Sequence, residues 1–214
     1  MNDGQATGRA ERISDRQLEV VMQIARMATE DVELQPMLTR IVDAVREAFG
    51  WQFVAFASID DVNGRFICEA VSGKMPSLIH VGYSRELGSG VVGQVAATGK
   101  AILLDDVRNS PNYVETATSV RSELCVPVVH RGQVLGVINA ESVHIGTFRG
   151  QLPLLETVAS HVAGAIAGAR LHRELARRAA VLELMSEVAH TALETSQLAE
   201  VAQRIASYVQ RRFA

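Results

Sequence analysis

The chain contains one helical pattern twice, and this duplication limits its architecture more than any other feature. Residues 17–50 and 181–214 align without a gap, and ten of the 34 paired positions are identical. In the first copy these positions are Leu18, Glu19, Ala25, Ala28, Glu30, Leu34, Arg40, Ile41, Val45 and Phe49, each matched 164 residues later. An offset of this size is about one domain. The parts expected are therefore a polar N-terminal segment at 1–16, one domain at 17–172, a connector helix at 173–196 and the truncated start of a second domain of the same type at 197–214.

Composition excludes several classes of protein. Hydrophobic residues make up 48% of the 214 residues and charged ones 21%, as in ordinary globular domains. The apolar runs are short and interrupted, which predicts no membrane contact, and the polar start has no signal-peptide core. A net charge of −3 gives no general attraction to nucleic acid. We expect a cytoplasmic chain whose two cysteines stay reduced.

Hydrophobic periodicity and turn residues predict a mixture of helices and antiparallel strands. The clearest turn is Asp61–Gly64 (DVNG), a hairpin signal between two strand-like runs. Helices are predicted at 14–29, 34–49, 91–98 and 154–192, and strands at 51–60, 65–73, 78–82, 101–107, 123–132 and 133–142.

The last predicted helix is too long to be buried on one small domain. It contains an apolar series, Leu171, Leu175, Leu182 and Met185, at spacings of three, four and seven residues. Such spacing is typical of a helix that pairs with a copy of itself. We therefore expect a homodimer that forms through the N- and C-terminal helices.

Three sequence blocks, in this order, resemble the GAF domain family over about residues 18–172. They are GSGVVGQVAATGK at 88–100, DVRNSPNY at 106–113, and SELCVPVVHRGQVLGVINAES at 122–142, in which Gly136 allows a crowded strand position. The resemblance implies an α+β fold with a six-stranded antiparallel sheet. It also implies dimer-forming helices on one face of that sheet and a ligand pocket on the other.

The resemblance does not identify a ligand, and the cofactor is unknown. The family's cyclic-nucleotide pattern is matched by Asn139 and Phe148, but Ala140 replaces its lysine and Leu152–Pro153 its acidic pair. Bilin attachment needs a cysteine on the pocket loop, whereas both cysteines lie in predicted strands. A haem would need a histidine in the pocket, and no motif supports one.

Candidate pocket residues follow from strand alternation, because every second side chain shares a face. Glu123 and Cys125 share one face of their strand, and Asn139 and Glu141 share one face of theirs. Asp105, Tyr113 and Arg121 would form the rim if the segment between them folds over the pocket. The alternative for each residue is that it caps a turn or solvates the surface.

The function expected is a non-catalytic, small-molecule-sensing and dimerisation module that relays the state of its pocket through the connector helices. An output domain, such as a cyclase or kinase, would lie elsewhere in a multidomain bacterial signalling protein. One alternative is a GAF-type free methionine sulfoxide reductase. Its chemistry needs reactive thiols, and residues 109–121, where that family places cysteines, contain none. The other alternative is a structural dimerisation module without a ligand.

Overall fold

The computed structural model describes residues 22–23, 26, 33–75 and 78–213. The helices are α1 (Leu34–Phe49), α2 (Gly90–Thr98) and α3 (Leu152–Phe213), with a 3₁₀ turn at Val107–Asn109. The strands are β1 (Phe53–Asp60), β2 (Arg65–Gly73), β3 (Ser84–Glu86), β4 (Ile102–Leu104), β5 (Ser122–His130) and β6 (Gln133–Ser142). The predicted segment 1–16 and most of the predicted helix at 14–29 lie outside the described residues.

The six strands form one sheet in the order β3-β2-β1-β6-β5-β4. All of its strand pairs are antiparallel, so the α+β fold and six-stranded sheet expected from the resemblance are confirmed. The predicted DVNG hairpin joins β1 to β2, and Gly64 takes a left-handed φ of 63° there. That conformation is open to glycine at little steric cost.

One face of the sheet carries the main core. The apolar stripe of α1 covers this face with Leu38, Ile41, Val42 and Val45, each at most 2% exposed. The first turns of α3 pack in the same cluster. The opposite face carries α2 and a smaller cluster of buried residues. The sheet is therefore the middle layer. Successive side chains along β5 and β6 point alternately toward the main core and toward the α2 side.

Two glycines allow close backbone approach. A Cβ placed on Gly136 would lie 2.4 Å from Phe56 Cζ and 2.6 Å from the Ala57 carbonyl oxygen. A Cβ on Gly93 would lie 2.8 Å from the Glu86 carbonyl oxygen, at the entry to α2. The crowded strand position predicted at Gly136 is thus confirmed, and Gly93 lets α2 approach the sheet.

The start of α3 is tied to the sheet by aromatic side chains. Phe148 is fully buried and meets Trp51 edge to face, with ring centroids 5.2 Å apart. Trp51 Nε1 also donates a hydrogen bond to Gln151 Oε1 at 3.1 Å. These contacts anchor the turn that precedes α3.

Residues Leu152–Thr191 of α3 are long and apolar enough to cross a membrane by length and composition alone, although 39% of the most apolar window is buried. Val158, Val162 and Ile166 supply part of that apolar character and pack in the main core. The core helix of a domain passes the same test. The expected absence of membrane contact stays a prediction.

Residues 171–214 form a second compact unit. Within it the apolar series that is predicted to pair two copies of the helix is exposed to solvent. The exposed fractions are 57% for Leu171, 53% for Leu175, 67% for Leu182 and 64% for Met185. The helix continues beyond the connector expected at 173–196 and ends at Phe213, because no proline or glycine follows Gly168.

Two predicted strands differ from the structure. The strand predicted at 78–82 is wrong, since pairing with β2 begins later and β3 is Ser84–Glu86. The backbone just before β3 forms a turn, in which the Tyr83 amide donates a hydrogen bond to the His80 carbonyl at 2.9 Å. The strand predicted at 101–107 is limited to Ile102–Leu104, because Asp106 caps the 3₁₀ turn by accepting from the Arg108 amide.

Candidate functional site

A cavity lies on the α2 face of the sheet. Its floor is formed by β1 and β2, its far wall by β5 and β6, and its cover by the start of α2 and by residues 113–116. The cavity has a volume of about 530 Å³ when its open mouth is included. Most of the wall is apolar, with Ala55, Ala57, Phe66, Ile79, Val91, Val92 and Val114 contributing.

Three acidic and amide side chains lie together at one end of the cavity. Glu123 on β5 pairs directly with Glu141 on β6, and Asn139 lies two residues earlier on the same face of β6. Each of the three is at most 3% exposed. Asn139 Nδ2 donates to Glu141 Oε1 at 3.1 Å. We call Glu123, Asn139 and Glu141 the acid cluster.

Burial keeps the acid cluster from being fully ionised. Burial, followed by repulsion from Glu141, raises the pKa of Glu123 well above its usual range. Burial also raises the pKa of Glu141 from 4.5 to about 7, although the hydrogen bond from Asn139 opposes the change. Two carboxyl groups this close do not both ionise readily, so the pair holds a proton near neutral pH.

The polar atoms around this cavity lack partners within the described residues. Glu123 Oε2, Glu141 Oε2 and Asn139 Oδ1 are buried and accept no hydrogen bond from the protein. The Tyr113 and Thr116 hydroxyls are likewise buried without a protein partner. Buried polar groups are normally satisfied, and a group of them around one cavity indicates where a ligand or water would bind.

Four of the seven predicted site residues line this cavity: Tyr113, Glu123, Asn139 and Glu141. The structure brings them together from a loop and two strands. Burial raises the pKa of Tyr113, and the charges of Glu141 and Glu123 add to this effect. The Tyr113 hydroxyl is therefore neutral and can both donate and accept a hydrogen bond. Ligand binding by these residues stays a prediction.

The other three predicted residues have different surroundings. Asp105 Oδ2 accepts from Arg149 Nε at 3.0 Å, in the turn before α3. Arg121 Nη1 donates to the carbonyls of Thr118 and Val120, both at 2.8 Å, so its guanidinium braces its own loop. Cys125 is fully buried beneath α2. None of the three is among the residues that line the cavity.

The two cysteines are poorly placed for thiol chemistry. Burial raises the pKa of Cys68, which lines the cavity, to about 12 and that of Cys125 well above its usual range. They lie on β2 and β5, which are three strand steps apart in the sheet. At about 4.8 Å a step the strands are about 14 Å apart, too far for a disulfide.

Sequence reasoning missed several polar residues that line the cavity, among them Thr116 and Arg85. Nothing about their residue types singles them out. Thr116 is placed by its carbonyl, which accepts from the Leu78 amide at 2.9 Å, and Arg85 by the pairing of β3 with β2. Both placements depend on contacts distant in sequence. Among the described residues, no group of three His, Cys, Asp or Glu side chains is suited to a metal ion.

Residues 31–167, well over half of the chain, match a family model described as GAF domain. Over 62 residues, 28% of this chain, the sequence is 42% identical to Protein ZMO0507 of Zymomonas mobilis. This match spans 38% of that protein, and the chain spans less than two thirds of the length of both curated relatives it matches.

Solved structures share the fold. The free methionine-R-sulfoxide reductase of Neisseria meningitidis, in complex with its substrate, is 26% identical with a TM-score of 0.65, over 73% of this chain and 91% of that one. The GAF domain of an Acinetobacter phosphoenolpyruvate-protein phosphotransferase is also 26% identical, with a TM-score of 0.63, over 72% of this chain and 95% of that one. The reductase and the GAF domain of the phosphotransferase are thus similar to this chain to nearly the same extent.

Proposed function

Because this chain belongs to the GAF domain family, we propose that it is a non-catalytic sensing module whose cavity binds a small molecule through a protonated nitrogen. The observation that carries the proposal is the set of buried, unpartnered polar atoms at the acid cluster. Glu123 Oε2, Asn139 Oδ1 and Glu141 Oε2 each lack a donor from the described residues. The ligand would supply those donors.

A positively charged nitrogen suits the acid cluster better than a neutral donor. The pair of Glu123 and Glu141 holds a proton near neutral pH because its charges are buried together. A bound ammonium group would offset the negative charge and let the pair release that proton. Its N–H groups would also satisfy several acceptors at once, and hydrogen bonds to charged groups are the stronger class.

Native mass spectrometry of the purified chain tests this proposal. A compound with a protonatable nitrogen should bind the wild type and be lost from the Glu123→Gln/Glu141→Gln double variant, whose amides keep the shape but lose the charge. Glu156→Gln, an exposed site on α3, is the matched control and should retain the compound. Equal retention by the double variant would overturn the role of the acid cluster.

The similarity to methionine-R-sulfoxide reductases makes that activity the second candidate. Reduction of a sulfoxide to a thioether and water takes two electrons, which two thiols supply as they become a disulfide. Cys68 and Cys125 are buried, with raised pKa values, and lie too far apart to form one. The chain should therefore show no turnover of free methionine sulfoxide with dithiothreitol. Turnover that disappears in Cys68→Ser or Cys125→Ser would establish the enzyme instead.

We propose that the chain acts as a cytoplasmic homodimer in which α3 carries the signal. The exposed series Leu171, Leu175, Leu182 and Met185 supports pairing between two copies, since each buried leucine contributes about 1.5–3 kcal/mol. Leu175→Asp/Leu182→Asp should give monomers by light scattering, whereas Arg173→Asp/Glu183→Lys, at exposed positions outside the series, should not. A dimer that survives the first double variant would refute this interface.

The internal duplication supports a multidomain setting, in which residues 197–214 are the start of a second domain. In the first copy Met37 and Ile41 are at most 1% exposed. Their counterparts Val201 and Ile205 are 51% and 59% exposed and are free to cover another sheet. A purely structural dimerisation module would show the same helices but no ligand, so a compound screen by thermal shift separates the two roles.

A further inference from the structure

The cavity also has a cationic group, at the end away from the acid cluster. Arg85 on β3 lines the cavity and is only partly exposed. No hydrogen bond or ion pair engages its guanidinium within the described part of the chain, whereas Arg65, Arg108 and Arg149 each pair with an aspartate. The cavity therefore has an unpartnered cation at one end and unpartnered carboxyl oxygens at the other.

Strand register gives the separation of the two ends. Arg85 pairs with Phe66, and Phe66 pairs with Ile59 on β1. Glu141 pairs with Phe53, six residues earlier on β1. Three strand steps of about 4.8 Å and six residues of about 3.4 Å place the two Cα atoms about 25 Å apart along the sheet.

Arg85 and Glu141 line the same cavity, so their side chains reach into the space between the two strands and shorten the gap. An extended Arg side chain reaches about 7 Å from its Cα and a Glu side chain about 4 Å. About 14 Å then remains between the guanidinium and the carboxyl group. In an α-amino acid the ammonium and carboxylate groups are about 3 Å apart, so one molecule of that kind cannot contact both ends. An extended chain of about 8.5 Å from its nitrogen to its carboxylate oxygen, with a hydrogen bond of about 2.9 Å at each end, does span the gap.

We infer that the cavity takes an elongated dipolar ligand, whose protonated nitrogen meets the acid cluster and whose carboxylate or similar anion meets Arg85. This inference rests on the proposed function and adds an anionic end and a length to the ligand. Arg85 would be the specificity-determining residue, because a planar guanidinium binds a carboxylate through two parallel hydrogen bonds. The apolar walls between the two ends suit a methylene chain.

Three probes of the same chain length separate the contributions. The first is 6-aminohexanoate, which carries both charges at the ends of the chain. Norleucine is its isomer, with both charges at one end, and hexylamine lacks the carboxylate. Isothermal titration of the full chain should show 6-aminohexanoate to bind most tightly. Arg85→Gln should weaken that probe by about tenfold, the loss of one good charge-assisted contact, and leave hexylamine unchanged.

Different results would overturn the role of Arg85 and the role of the acid cluster. If norleucine binds as tightly as 6-aminohexanoate, or if Arg85→Gln weakens hexylamine equally, the inference about Arg85 and ligand length is wrong while the acid cluster keeps its role. If hexylamine binds the wild type and the Glu123→Gln/Glu141→Gln variant equally, or binds neither, the proposed function fails as well. Arg65→Gln, in the hairpin, is the matched control and should leave all three affinities unchanged.

Discussion

Replacing Glu141 by glutamine should make the protein more stable at high pH and leave it unchanged at low pH. Glu141 is 2% exposed, and burial raises its pKa from 4.5 to about 7 in the folded chain. A glutamine has the same shape, and its Oε1 can still accept the hydrogen bond that Asn139 donates to Glu141 Oε1. The variant therefore removes the ionisation of this group with little change in packing.

The direction of the change in stability depends on the pH at which the folded and the unfolded states each release the Glu141 proton. The unfolded chain loses the Glu141 proton near pH 4.5, whereas the folded chain keeps it until about pH 7. Between these values the unfolded state gains free energy from ionisation that the folded state does not, so stability falls as pH rises. The pKa difference corresponds to about 3 kcal/mol, fully expressed above pH 7 and absent below pH 4.5.

Urea unfolding of the wild type and Glu141→Gln at several pH values measures this difference directly. The two unfolding free energies should agree near pH 4, and the variant should be about 3 kcal/mol more stable at pH 8. The other titratable groups that line the cavity are Cys68, Tyr83, Arg85, Tyr113 and Glu123, and all of them are present in both proteins. Glu156→Gln should follow the wild-type profile within about 0.5 kcal/mol. A pH-independent difference between the wild type and Glu141→Gln would show that Glu141 is ionised in the folded chain.

Three further predictions concern packing and thiol access. Gly136→Ala places a Cβ 2.6 Å from the Ala57 carbonyl oxygen and should lower the unfolding free energy by about 1–3 kcal/mol; a neutral effect by urea unfolding would contradict this crowding. Phe148→Ala should cost about 3–5 kcal/mol and change the emission of Trp51, the sole tryptophan; unchanged stability would refute the anchoring role of Phe148. Cys68 and Cys125, both at most 2% exposed, should react with Ellman's reagent at pH 8 only after unfolding, and fast reaction of either thiol in the native protein would disprove its burial.

Local patterns were sufficient for most of the secondary structure. The DVNG turn predicted the β1–β2 hairpin because its glycine adopts a left-handed φ that other residues avoid. Strand alternation predicted that Glu123 shares a face with Cys125 and that Asn139 shares a face with Glu141, and the register places Glu123 directly opposite Glu141. These features depend on neighbours in the chain or on directly paired strands.

The cavity could be predicted only in part, because its cover comes from distant segments. Arg85 is brought to it by the pairing of β3 with β2, and Thr116 by a loop that bonds to Leu78. Asp105 was expected at the rim, but its carboxylate is held by Arg149, a partner 44 residues away. Such contacts cannot be predicted from residue type or spacing. Composition also cannot indicate which of several arginines lacks a carboxylate partner.

The strand ends that hold the acid cluster also hold the turn before α3. Side chains alternate along a strand, so Glu123 and Glu141 face the cavity while Ser122 and Ser142 face the opposite side of the sheet. There Ser122 Oγ donates to the His144 carbonyl at 2.7 Å, and Ser142 Oγ accepts from the His144 amide at 3.1 Å. A ligand can shift an equilibrium only by contacts that differ between two states. Ser122 is adjacent in the chain to Glu123, and Ser142 is adjacent to Glu141. A change in strand position at the cavity would therefore alter the hydrogen bonds that place the first turn of α3.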